Sequence, residues 1–196
     1  MTTTQAAQTD GVDAAHDVVE FLIGQHMQIR DLFTEVQTST GQARRDAFER
    51  LVRLLAVHET AEEQLIHPLV RTGVDGGGDI VDDRLAEERA AKEMLARLED
   101  LGPDAAEFPS LLAELRVSVL THAHNEEAYE FRYLRREVAA AQLQPLVAMV
   151  RAAEAVAPTH PHPGVESATA NTVAGPVVSL FDRTKDRVRK AMSGSR

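Results

Sequence analysis

Two stretches of the chain, HETAEEQ at 58–64 and HAHNEEA at 122–128, open with the same His-x-x-x-Glu-Glu pattern and lie 64 residues apart. Each is set in a longer stripe spaced by threes and fours. The first runs Phe48, Leu51, Leu55, His58, Glu62, Leu65, Leu69, and the second runs Leu112, Leu115, Val119, His122, Glu126, Tyr129, Tyr133, at the same constant offset. Such spacing predicts amphipathic helices turned toward a bundle core, and it puts the histidine and glutamate of each pair on the buried face, one turn apart. Residues 15–38 carry a third stripe of Val19, Leu22, His26, Ile29, Phe33 and Val36, so another imidazole points inward. The chain must therefore accommodate three imidazoles and two carboxylates inside an apolar interior.

That requirement is costly. An ionised carboxylate in an apolar interior costs several kcal/mol even after relaxation, and two facing ones repel. Protonation, pairing with cationic side chains, or a bound metal ion would each relieve it. Imidazole and carboxylate together suit iron, manganese and zinc, and a four-helix bundle can hold two ions with carboxylates bridging them. There is no cysteine, which excludes disulfide scaffolds, iron–sulfur clusters, thiol catalysis and Cys-ligated zinc. A single His-x-x-x-Glu is usually a solvated helix pair worth a few tenths of a kcal/mol. Two copies in register on apolar seams, with His26 on a third, point to metal.

The same periodicity predicts an all-α, up-down-up-down four-helix bundle with a short fifth helix. The expected organisation is a flexible N-terminus (1–14), the bundle (15–157), a Pro-rich linker (158–175) and a basic amphipathic tail (176–196). TGVDGGGD at 72–79 reads as the loop joining the two helix pairs, Gly102-Pro103 as the end of the third helix, and Pro145 as the start of a short segment to about Ala157. Net charge is −10, but residues 181–196 carry +4, which leaves −14 on the first 180. An acidic body repels phosphate backbones, so nucleic acid is not an expected partner. The basic tail could dock on that body, on a sister subunit in a homodimer, or on a partner protein. The N-terminus lacks a basic segment leading into an apolar one, and no uncharged apolar run is long enough to cross a bilayer, so a cytoplasmic protein is expected.

Ideal helical phase leaves the other histidines outside the core. His67 lies nine residues past His58 and should face away, and His124 falls on a different face from His122. His16, His160 and His162 should be exposed. Tyr129 and Tyr133 should be core aromatics, with a hydroxyl within reach of a carboxylate as the functional alternative.

His26, then His58 and Glu62, then a third helix, then His122 and Glu126, is an order that resembles the hemerythrin-like, or HHE cation-binding, proteins of the bacterial single-domain kind, over about residues 15–140. The resemblance implies a non-haem di-iron centre. His26, His58 and His122 would be terminal ligands and Glu62 and Glu126 the bridges, with O2, H2O2 or NO as the small ligand. The third helix departs from the family, offering Arg89 where a histidine is common, and a guanidinium has no lone pair for a metal. Two octahedral ions would then lack five positions. Glu88 or Glu59 could turn in, or Arg89 could pair with Glu126 or Glu62 and leave one ion. Zinc or manganese is the alternative metal. Three functions follow: a ligand-binding or sensing iron protein, a catalase-like peroxide scavenger, and a regulatory module whose metal occupancy is reported by the tail.

Overall fold

The computed structural model describes residues 17–160. The N-terminal segment with His16, the linker beyond residue 160 with His162, and the basic tail lie outside the described residues. Helix α1 is Val18–Thr38, opened by Asp17, whose side chain accepts the Glu20 backbone N–H at 2.9 Å. Helix α2 begins with Gly41–Ala61, passes through a π-helical turn at Glu62–Ile66, and finishes with His67–Gly73. Helix α3 is Gly77–Leu101. Helix α4 has the same construction as α2: Phe108–Asn125, a π-helical stretch Glu126–Phe131, then Arg132–Glu137. A short α5, Ala140–Leu143, leads into α6, Leu146–Glu154. No strand occurs among the described residues, so the chain has the expected all-α fold.

The connections are short, so successive helices run in opposite directions. Each packs on the next, α4 packs on α1, and α6 lies across α1 and α2. The Gly-rich break is narrower than its composition predicts, because α3 resumes at Gly77 after the turn at 74–76. Close approach explains the glycine there: a Cβ on Gly77 would stand 2.1 Å from the carbonyl oxygen of Val70. Gly102 closes α3 with φ 77°, and its N–H bonds the Leu98 carbonyl at 3.0 Å. No helix among the described residues is long and apolar enough to span a membrane.

Two apolar clusters fill the bundle. One gathers Leu22, Ile66, Val70, Phe131, Leu134, Leu146 and Val150, and the other gathers Ile29, Phe33, Leu51, Leu55, Leu98, Phe108, Leu112 and Leu115. Fully burying one such side chain stabilises the fold by about 1.5–3 kcal/mol. His26, His58, Glu62, His122 and Glu126 are also buried, and their neighbours along each helix belong to both clusters, so they form a polar layer between them.

Candidate metal centre

Up to the π turns, the buried faces are those of the sequence stripes. Beyond each turn the face slips by one residue, because a wider turn inserts an extra position and rotates everything after it by about 100°. In α4 the inward positions become Glu130 and Leu134, while Tyr129 is 52% exposed and Tyr133 is half-buried. The expectation of core tyrosines is therefore wrong. In α2 the same slip turns His67 inward, to 2% exposure, against the expectation that it faces away. His124 and His160 are exposed as expected.

Helix α3 buries Val81, Arg84, Glu88, Ala91, Lys92, Leu95 and Leu98. Glu88, fully buried, is thus the inward carboxylate of α3, and Arg89 is exposed and stands outside the polar layer. Glu59 is also buried, so both carboxylates offered as additional ligands reach the interior.

The three histidines of the polar layer are each held at Nδ1. His58 Nδ1 donates to Gln25 Oε1 at 2.9 Å, and Gln25 Nε2 donates in turn to Glu154 Oε1 of α6 at 2.6 Å. His26 Nδ1 meets Glu127 Oε1 at 2.9 Å. His122 Nδ1 meets Glu87 Oε2 at 3.0 Å, and the other Glu87 oxygen accepts from Asn125 and Arg84. An imidazole that donates from Nδ1 presents Nε2 as its free lone pair. All three Nε2 atoms face the paired glutamates: His26 to Glu126 Oε2 at 3.2 Å, His58 to Glu62 Oε2 at 3.2 Å, and His122 to Glu126 Oε1 at 3.4 Å.

Both oxygens of Glu62, both of Glu126, one of Glu59, and Nε2 of His26 and of His122 are buried without a hydrogen-bond partner. Leaving a buried polar group unpaired costs about 1–3 kcal/mol, more when it is charged, so this many converging in one place demand a common partner. Donor atoms of His26, His58, Glu62 and Glu126 lie within 4.8 Å of one another, and those of Glu59, Glu62 and His122 form a second such group. Glu62 belongs to the first group and the second, and Glu126 approaches a histidine of each, which is the arrangement two bridging carboxylates need. The donor set fits a pair of first-row cations.

The metal-free electrostatics divide the two glutamates. Burial, and then the charges of Glu126 and Glu59, hold Glu62 well above the usual carboxylate range. Burial would raise Glu126 too, but His122 and His26 outweigh it and hold Glu126 well below that range. Burial and the neighbouring His26 push His58 down to about 3, which leaves it neutral and able to ligate. Beside these groups lies a cavity of about 10 Å3, lined by His26, His58, Glu59 and His122 on one side and by Ile29, Val119, Leu120 and Ala123 on the other. That is room for roughly one water molecule.

Sequence reading missed His67, Glu130, Glu87 and the Gln25–Glu154 link. The Phe131/Leu134 pair was a usable sign of the slip in α4, being more apolar than the Tyr129/Tyr133 pair that unbroken helical phase selects. Nothing in the sequence pairs Gln25 with His58 across 33 residues.

Known proteins bear on the same region. The family described as hemerythrin HHE cation binding domain matches residues 17–156. The chain is 28% identical over 151 residues to a DNA nickase of a Nostoc species, covering 76% of this chain and 42% of that one, so it spans about two fifths of that relative's length. It is 24% identical over 138 residues to a hemerythrin-like protein of Schizosaccharomyces pombe, covering 69% and 68% of the two chains. A crystal structure of a hemerythrin HHE cation binding domain-containing protein from Mycobacterium kansasii superposes with a TM-score of 0.63 at 18% identity, covering 71% of this chain and 85% of that one.

Proposed function

The chain belongs to the hemerythrin HHE cation-binding domain family, and on that premise we propose that its polar layer holds two iron ions and binds or senses O2, H2O2 or NO. The observation that carries this reading is the convergence of unpartnered buried oxygens and Nε2 atoms between the apolar clusters. His26 and His58 would hold one ion and His122 and Glu59 the other, with Glu62 and Glu126 shared between them. Iron so placed supplies reversible electron transfer to a small oxidant. The protein's part is to fix the donors. Gln25, Glu127 and Glu87 keep each imidazole's Nε2 aimed inward, and the apolar clusters exclude bulk water. Exposed Arg89 neither ligates nor limits the site to one ion.

The cavity decides the size of the ligand. With room for about one water, it favours diatomics and peroxide and leaves no space for an organic substrate. The acidic net charge disfavours a DNA substrate, so the activity named for the Nostoc relative is not assigned to this chain.

Iron-loaded protein should absorb in the near ultraviolet and visible, and the bands should change on adding NO or H2O2. Glu62→Gln should remove most of that absorption. Unaltered bands in the variant would contradict the reading. Oxygen evolution from H2O2 by loaded but not by stripped protein would favour the catalase-like alternative over simple binding.

A further inference from the structure

A second group of donors lies next to this centre and outside it. His67 sits at the end of the π turn in α2, and Glu130 lies within the π stretch of α4. Their donor atoms and one of Glu126 fall within 4.8 Å of one another. On the opposite side, Glu88 of α3 brings Oε1 to 2.5 Å from His67 Nε2, and His67 Nδ1 is 3.1 Å from Glu130 Oε1. Glu88, Glu126 and Glu130 are fully buried and His67 is 2% exposed.

Hydrogen bonding alone does not satisfy this group. Even a fully protonated imidazole has two N–H donors, and both are already directed at Glu88 Oε1 and Glu130 Oε1. Glu88 Oε2 and Glu130 Oε2 remain buried with no hydrogen bond. Lys92 pairs closely with Glu63 and stays 3.8 Å from Glu88 Oε2. A cation with several open coordination positions would satisfy what two N–H groups cannot.

We propose that His67, Glu88 and Glu130, with Glu126 as the wall shared with the di-iron centre, form an additional binding site for a divalent transition-metal ion. One imidazole among carboxylates selects Mn2+, Fe2+ or Zn2+ over Mg2+ and Ca2+, which take oxygen donors. The site has no counterpart in the internal repeat: the positions 64 residues from His67 and Glu130 are Phe131 and Ile66, both apolar. It depends on the proposed function only through Glu126.

The test is anomalous diffraction from crystals of the whole chain, stripped of metal and soaked in Mn2+, with manganese per chain measured in solution alongside. Wild type should give three manganese positions, one of them beside His67 and Glu130. Glu130→Gln and His67→Leu should each lose that position and keep the other two. Two positions in wild type with none beside His67 would overturn the proposal while leaving the di-iron reading intact. A single position beside His67, with the central one empty, would support the proposal and overturn the di-iron reading. Absence of manganese from both places would overturn both. Should a variant not fold, the wild-type map decides alone.

Discussion

The two halves of the bundle use one backbone device to different ends. In α2 and in α4, a helix carries His-x-x-x-Glu into the core and opens a π turn at that glutamate, Glu62 in one and Glu126 in the other. Up to the turn the halves match residue for residue in role. After it they diverge: α2 delivers His67, whereas α4 delivers Glu130 and Phe131, whose ring stacks on His26 at 5.7 Å. The glutamates that open the turns also differ, Glu62 inclined to keep its proton and Glu126 to lose it, because two histidines face Glu126 and one faces Glu62. A shared backbone fixes where a side chain stands, and the charges around it fix what state it takes.

The comparison breaks most visibly at the paired positions 67 and 131. In metal-stripped protein, His67→Leu takes the N–H donors from Glu88 and Glu130 and leaves buried carboxylates uncompensated, a loss of about 3–5 kcal/mol. Phe131→Leu, a change of apolar shape at the matching position, should cost less than about 1.5 kcal/mol. Denaturant unfolding measures both, and equal losses would mean His67 acts there only as a filler.

The groups that aim the histidines should be equivalent between halves. Gln25→Ala removes the partner of His58, and Glu87→Ala removes that of His122, so each should weaken iron binding by roughly 10–100-fold in competition with a chelator. A loss confined to one half would place both ions on that side of the layer.

A smaller effect follows from pH. In stripped protein, burial and then Glu88 raise Glu59 to about 7 from 4.5, so its contribution to stability is lost as pH rises from 4.5 through 7. Burial alone would lower His26, but Glu126 and Glu127 raise it to about 8, so its contribution is present below 6.5 and lost as pH rises through 8. His58, at about 3, works in the opposite sense, but only below 6.5. Between pH 6.5 and 8 the melting temperature of stripped protein should therefore fall, while loaded protein, its ligands already deprotonated by the metal, should hold steady. A rising curve for stripped protein would refute these assignments. Smallest of all, Arg89→His should leave iron content unchanged, because position 89 is exposed; a gain of one ion per chain would return that position to the centre.

Much of this was legible in the sequence. The threes-and-fours stripes gave the four long helices, and the 64-residue offset brought His58, Glu62, His122 and Glu126 into one layer with His26. What escaped has a single physical cause in both α2 and α4. Helical phase was extended unbroken past Glu62 and Glu126, whereas the chain widens by one residue there, which exchanges Tyr129 for Glu130 and turns His67 inward. Helix α3 was ambiguous for another reason: its buried stripe includes Arg84, Glu88 and Lys92, whose charges hide it from any reading based on apolar periodicity.

Thermal unfolding of stripped and iron-reloaded protein, at one pH and one concentration, tests most directly whether a cation is what makes the buried carboxylates tolerable. With free iron at about a thousand times its dissociation constant, binding should add about 4 kcal/mol, a rise in melting temperature of roughly 8–16 °C for a domain of this size. Coincident melting curves would show that Glu62 and Glu126 are neutralised without metal, and would contradict the account.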